Sequence, residues 1–123
     1  MAGKPGGSKF MNGVPELLVL SLLARREMYG YEIVAALRES SGRAISVGEG
    51  CIYPLLHALG RKRWITSRRA RANGRPRIYY RLTDRGRKQL GAATGRWAEL
   101  SAAVNQILGG SHAEGRIGGA EPA

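Results

Sequence analysis

The first run of apolar positions opens at Pro15 and continues to Arg26, where leucines and valine nearly encircle a helix. Such a segment predicts a central core helix, with proline at the start where its missing N–H costs nothing. A second helix is predicted from Gly30-Tyr31 through Glu39, with Ile33 and Leu37 one turn apart and Gly42 as its stop. The third carries the sharpest stripe: Ile52, Leu55, Leu56 and Leu59 stand at i, i+3, i+4 and i+7 and must face the core. Ser46-Val-Gly-Glu49 ahead of it matches a capping box, in which the serine hydroxyl accepts from a first-turn N–H and the glutamate reaches back. Pro54 removes one helical hydrogen bond and crowds the carbonyl of Gly50, so a helix that starts only at Tyr53 is the competing reading.

Past this helix the pattern turns to alternation. Trp64 to Arg68 and Ile78 to Leu82 are β-favouring runs, the second with Ile78, Tyr80 and Leu82 on one face and Tyr79 and Arg81 on the other. Asn73-Gly74 between them supplies positive φ angles, which predicts an antiparallel hairpin with a long, arginine-studded tip from Arg69 to Arg77. Thr83-Asp84 then caps a last helix reaching Leu108. Along it Leu90, Ala93, Trp97, Leu100, Val104 and Ile107 form a heptad seam. Three short helices and a hairpin cannot cover so long a seam, and a second copy of the chain is its simplest partner. Gly91 and Gly95 weaken this helix by about 1 kcal/mol each relative to alanine, so contacts rather than propensity must hold it.

The fold class that follows is mostly α with a small antiparallel hairpin: a winged helix-turn-helix plus a C-terminal dimerisation helix. The expected divisions are an N-terminal tail over 1–13, a winged helix over 14–83, a dimerisation helix over 84–108 and a C-terminal tail over 109–123. Both tails, rich in glycine and small residues, read as flexible.

Charge sharpens this picture. The 123 residues carry a formal net charge of +11, and a hydrophobic fraction of 43% places that charge on a folded domain rather than on a disordered tail. Between Arg61 and Lys88 stand 12 basic residues and one acid, Asp84, whereas the rest of the chain is balanced at eight of each sign. A concentrated cationic segment is the footprint of a polyanion binder, with double-stranded DNA first and an anionic membrane surface second. In a winged helix the third helix enters the major groove and the hairpin meets the sugar-phosphate backbone. Tyr53, His57 and Arg61, opposite the apolar stripe, are thus the candidates for base contact, and Ser46 and Lys62 beside them are further candidates for contact with DNA. Arg68, Arg69, Arg71, Arg75 and Arg77 of the hairpin are the candidates for the backbone.

Blander roles stand beside these. His57 is either a base contact or a solvated side chain, and Tyr29 and Tyr31 either reach phosphate or pack with a polar tip. Cys51 reads as a small tolerated thiol rather than a redox sensor. One cysteine and two histidines make neither a disulfide nor a closed zinc set, which suits a cytoplasmic protein without a structural metal. No cofactor is expected. The longest apolar stretch is far short of a membrane span, and the N-terminus lacks the apolar core of a signal peptide. No nucleophile with a paired base, carboxylate cluster or phosphate-cradling glycine loop stands out, so the chain does not read as an enzyme. A nonspecific architectural or RNA-binding winged helix is the alternative to a sequence-specific regulator.

Three stretches carry a family resemblance: MYGYEIVAAL (28–37), SVGEGCIYPLLHALGRKRWI (46–65) and NGRPRIYYRLTDRGRKQL (73–90), in order and nearly ungapped. Over about residues 14 to 108 the chain resembles the PadR family of bacterial transcriptional regulators, in its smaller subgroup with a single C-terminal helix. The resemblance implies a winged-helix homodimer on palindromic promoter DNA, usually a repressor, relieved by a small aromatic or amphipathic effector. Tyr53 matches the family's recognition-helix tyrosine and Gly50 the small residue before it. Gly74, Arg75 and Arg77 match its basic wing tip, and Tyr79 and Tyr80 its paired tyrosines. Cys51 replaces the usual threonine, and the cations of Gly60-Arg-Lys-Arg63 replace an acidic and glycine pattern, which predicts stronger nonspecific affinity. Trp97, otherwise dimer core, gains from the resemblance a second role as an effector-stacking residue.

Overall fold

The computed structural model describes residues 13–109, and the predicted tails lie, but for Gly13 and Gly109, outside the described residues. Helix α1 spans Val14–Arg25, strand β1 Met28–Tyr29, helix α2 Gly30–Ser40 and helix α3 Glu49–Arg61. Strands β2 (Ile65–Ala72) and β3 (Arg75–Leu82) follow, then helix α4 (Asp84–Ile107). No helix among the described residues is long and apolar enough to cross a membrane.

Burial follows the apolar pattern closely. Val19, Leu20, Leu22 and Leu23 of α1, Ile33 and Leu37 of α2, and Ile52, Leu56 and Leu59 of α3 meet in one core, with Leu55 packed at its edge. Each such side chain contributes about 1.5–3 kcal/mol on leaving water, which outweighs the defects the sequence carries in α3. Pro54 is one of those defects, and the helix runs through it from Glu49 rather than starting at Tyr53. The carbonyl deprived of its donor is that of Gly50, on the exposed face where water can take it.

The capping box predicted at Ser46 does not form. Gly48 is the N-cap of α3, and its carbonyl accepts the first helical bonds from Cys51 and Ile52 at 3.1 Å each. Glu49 is therefore the first helical residue, where its charge favours the positive helix end, and Ser46 stands two residues too early to cap. The loop before α3 is instead closed by Ser41, whose hydroxyl accepts from the Ile45 N–H at 2.9 Å.

The hairpin is longer and its turn tighter than the alternation predicts. β2 and β3 pair without a break from Ile65↔Leu82 to Ala72↔Arg75, so the arginine-rich tip is itself strand. Only Asn73 (φ 55) and Gly74 (φ 76) form the turn, two consecutive left-handed residues whose twist matches that of the strands. The charge runs hide the strand because apolar alternation in β3 does not extend beyond Ile78 toward the tip. Strand β1 adds a third member in the order β1-β3-β2, pairing Met28 with Tyr80 and Tyr29 with Tyr79. Two residues have no periodicity to detect.

Thr83 ties the hairpin to the helices. Its hydroxyl donates to the Arg63 carbonyl at 2.7 Å and accepts from the Gly86 N–H at 2.9 Å, so it caps α4 while holding the turn after α3. That turn needs the hold, because Arg63 sits at φ 65, a conformation unfavourable for a side chain of this kind. The described chain divides into two units, the first reaching Leu90 and the second beginning at Gly91 within α4.

Gly86 is buried, and a Cβ there would overlap the main-chain carbonyl of Trp64 and lie 2.7 Å from the Leu82 side chain. Alanine would gain about 1 kcal/mol of helix propensity. A clash with backbone typically costs about 1–3 kcal/mol and cannot be relieved by a rotamer change. Gly86→Ala should therefore lower the urea midpoint with an unchanged m-value, whereas Gly91→Ala, in open space, should raise it or leave it alone.

Candidate nucleic-acid interface

On the side of α3 opposite its buried stripe, Gly50, Cys51, Tyr53, Pro54, His57 and Arg61 are all exposed. Tyr53 is 38% exposed because its ring rests on the backbone of Gly30, the first residue of α2. A Cβ at Gly30 would overlap the Tyr53 hydroxyl and approach its Cζ to 2.7 Å. Glycine at this one position thus lets the ring bridge α3 to the N-terminus of α2, and an anion approaching Tyr53 also meets the positive end of a helix. Glu32 steadies that end, its carboxylate accepting from the Tyr29 N–H at 3.0 Å.

Side chains of a strand alternate between faces. Ser67, Arg69 and Arg71 stand opposite Tyr80, Ile78 and Pro76 on the face that continues from the core. This inner face borders a groove shared with His57, Gly60 and Arg61 of α3. Tyr80 and Leu82 are buried there as the alternation predicts, but Ile78, beyond the end of the core, is 44% exposed beside the groove. Burial raises the Tyr80 hydroxyl pKa above the usual tyrosine value, so this ring stays neutral. Arg71 donates to the Gly74 carbonyl at 2.8 Å and braces the turn.

The outer face is organised differently. Glu27, in the link between α1 and β1, accepts from Nε and a terminal nitrogen of Arg68, both at 2.6 Å. The Arg68 guanidinium lies 5.3 Å from the Tyr79 ring centroid, Tyr79 meets Tyr29 edge to face at 5.5 Å, and the Arg77 guanidinium lies 4.2 Å over Tyr29. The Arg77 Nε is buried without a hydrogen-bond partner among the described residues, so the stacking holds this side chain.

The candidate contact residues therefore fall into two sets. Gly50, Cys51, Tyr53, His57 and Arg61 share the exposed face of α3, with Arg69 and Arg71 on the inner face of the wing and Gly74 and Arg75 at its tip. Arg68, Arg77 and Tyr79 belong to the outer stack. Lys62, just after α3, lies 4.7 Å from the Trp64 ring centroid, and Ser46 is exposed in the loop before α3. Sequence reasoning missed Gly30 and Glu27. A glycine between two tyrosines at a helix start, and a lone acid opposite a basic hairpin, were the available signals.

In the second unit, Trp97 is 46% exposed and Ile107 85% exposed, and Val104 is also exposed, so in the single chain part of the seam is uncovered. Ala93 and Leu100 are half-buried. Leu90, at the end of the first unit, packs against the core.

Three helices, the third with an exposed face, and a β-hairpin wing rich in arginine define a winged helix-turn-helix, the fold of a DNA-binding transcriptional regulator. The model of the transcriptional regulator PadR-like family matches residues 19–92. The chain belongs to this family. Among solved structures it is similar to a transcriptional regulator from Clostridium thermocellum, with a TM-score of 0.73 and 26% identity over 80% of this chain and 97% of that one. A PadR-like transcriptional regulator from Bacillus cereus gives a TM-score of 0.71 at 33% identity, covering 82% and 97% of the two chains. The structure of Bacillus subtilis PadR in complex with operator DNA gives 0.59 at 31% identity, covering 64% of this chain and 44% of that one.

The Arg68 hydrogen bonds hold the Glu27 carboxyl below its ordinary value of 4.5, against a smaller opposing effect of desolvation, and the charges of Arg68 and Arg81 add to the lowering. A depressed folded-state pKa contributes stability above the ordinary value, and that contribution is lost as pH falls through the lowered one. Glu27→Gln should accordingly flatten the decline of the melting temperature on acidification below about pH 4.5, as read from thermal melts across pH.

Proposed function

We propose that this regulator acts as a homodimer on inverted-repeat promoter DNA, as a repressor relieved by a small aromatic or amphipathic effector. One observation carries the reading: the exposed face of α3, with Tyr53 seated on Gly30, lies beside the inner face of the wing across a shared groove. A protruding helix reads base edges in the major groove, and arginines beside it follow the phosphates on either side. The likeness to a PadR bound to operator DNA supports the same use of these elements. Tyr53, His57 and Arg61 are the base-reading set, Arg69 and Arg75 the backbone set. Arg68, Arg77 and Tyr79 stiffen the wing from behind.

The apolar seam of α4 supports the dimer. Trp97, Val104 and Ile107 are large apolar groups that a second copy of the helix would cover, and a flat indole in such an interface is suited to stack on an aromatic effector. Two recognition helices related by a two-fold axis would then meet half-sites about one helical turn, roughly 34 Å, apart.

Gel shifts on the DNA upstream of the regulated gene test the reading. Arg69→Ala with Arg75→Ala should weaken binding to all duplexes alike and flatten the salt dependence by roughly 1.8 in log–log slope, about 0.9 for each phosphate that is no longer neutralised. Tyr53→Phe should cost about tenfold on the specific site and little on random duplex. An equal loss on both, or no preference for any sequence in a random-pool selection, would favour the architectural or RNA-binding alternative.

Sedimentation tests the assembly. The wild type should run as a dimer, and Val104→Glu with Ile107→Glu should run as a monomer with an intact winged-helix fold by circular dichroism. A monomeric wild type would sink the dimer.

A further inference from the structure

The outer face of the sheet carries a second concentration of charge that reading by α3 does not use. A cavity of about 620 Å³ opens between the end of α1, the link to β1, the root of the hairpin and the first turn of α4. Arg25, Arg26, Arg68, Arg81 and Arg87 line it, all of them exposed, and Glu27 is the one acid in its lining. The lining lies wholly within the first unit of the chain. Thr66, directly opposite Arg81 across the strands, adds a hydroxyl on the same outer face.

Five guanidinium groups around one concavity repel each other unless something negative lies among them. Glu27 answers one of them, through its paired hydrogen bonds with Arg68. Arg26 reaches the carboxylate of Glu32 at 3.5 Å, and among the described residues Arg25 bonds only the neutral Ser40 hydroxyl, also at 3.5 Å. Among the described residues, no carboxylate lies within ion-pair distance of Arg81 or Arg87. The charge of Arg81 is nonetheless felt inside the cavity, since it helps to lower the Glu27 pKa. What remains is an excess of three cations facing one space, from three separate elements.

The shape selects among anions. A duplex presents its phosphates along a convex ridge, which suits protrusions such as the wing tip. A concavity walled by guanidinium forks suits a compact anion whose oxygens can each take paired N–H groups, and phosphoryl oxygens match that geometry. A single carboxylate would leave most of the charge unanswered, whereas a chain of two or three linked phosphates would balance it.

We propose that this cavity is an anion site for a compact polyphosphate group, on the face of the hairpin opposite α3. Its ligand is a di- or triphosphate, free or carried on a small molecule. Its location does not depend on which DNA sequence the protein reads.

Isothermal titration of the full-length protein with sodium tripolyphosphate, at about 0.15 M salt to screen diffuse attraction, tests the site. Saturable binding of one tripolyphosphate per chain is expected. Arg81→Gln with Arg87→Gln should weaken it about tenfold or more, while Arg69→Ala with Arg75→Ala leaves it within about twofold. Arg87→Gln alone, a change at one exposed side chain, should keep the wild-type melt and show a partial loss. The same Arg81/Arg87 variant should reduce affinity for a short duplex less than the wing-tip variant does. Three results would overturn the proposal: no saturable binding, equal losses of tripolyphosphate binding in the two double variants, or a duplex defect from the Arg81/Arg87 pair as large as that from the tip. The second would mean diffuse attraction to a basic protein, and the third would make the cavity part of the DNA footprint.

Discussion

A two-stranded ribbon has only two faces, and the pleat of β2 and β3 decides which arginine goes to which. Ile65 and Leu82 anchor the inner face in the core, so every second residue outward from them must follow. Arg69 and Arg71 are thereby turned toward the groove beside α3, while Arg68, Arg77 and Arg81 are turned away from it. The charge run that looks uniform in the sequence is thus sorted into two populations by the burial of two apolar side chains at its root. On the outer face Arg68 and Arg77 are taken up by the stack with Tyr79 and Tyr29, and on the inner face Arg71 bonds the Gly74 carbonyl at the turn.

The same root fixes the third helix. Ile52, Leu56 and Leu59 seat α3 on the core, and Thr83 holds the strained turn at Arg63 that leads from α3 into β2. A hydroxyl that bonds the α3–β2 turn and caps α4 at once makes helix, hairpin and the following helix answer to one another. Gly30 completes the arrangement from the other side, since only its lack of a Cβ allows the Tyr53 ring to lie against the start of α2. The exposed face of α3 is in this sense built by backbone as much as by the side chains it displays.

Much of this was legible in the amino-acid sequence, and the misses have physical causes. The apolar stripes of α1, α2 and α3, the Asn73-Gly74 turn and the Thr83 cap are local signals, and each lies where its chemistry predicts. Ser46 misled because a capping box is a spacing of residue types, and the helix start is set by where the chain can first close a hydrogen bond, here at the Gly48 carbonyl. The full length of the hairpin stayed hidden because its outer half is held by ladder bonds and stacking rather than by apolar alternation. The Glu27–Arg68 pair and the Gly30–Tyr53 contact join residues 41 and 23 positions apart, and no local pattern announces a partner at that distance.

The two-residue turn at Asn73-Gly74 has a consequence for how such a wing can change. Because the ladder runs unbroken into it, a single inserted or deleted residue within a strand has nowhere to be absorbed without a bulge or a slip of register. A slip by one would exchange the faces, sending Arg69 and Arg71 to the back and presenting the stacked tyrosine to the groove. Wing length in this protein is therefore effectively counted in pairs of residues, and drift in the hairpin is channelled into substitutions and paired insertions that leave the sorting of charge intact.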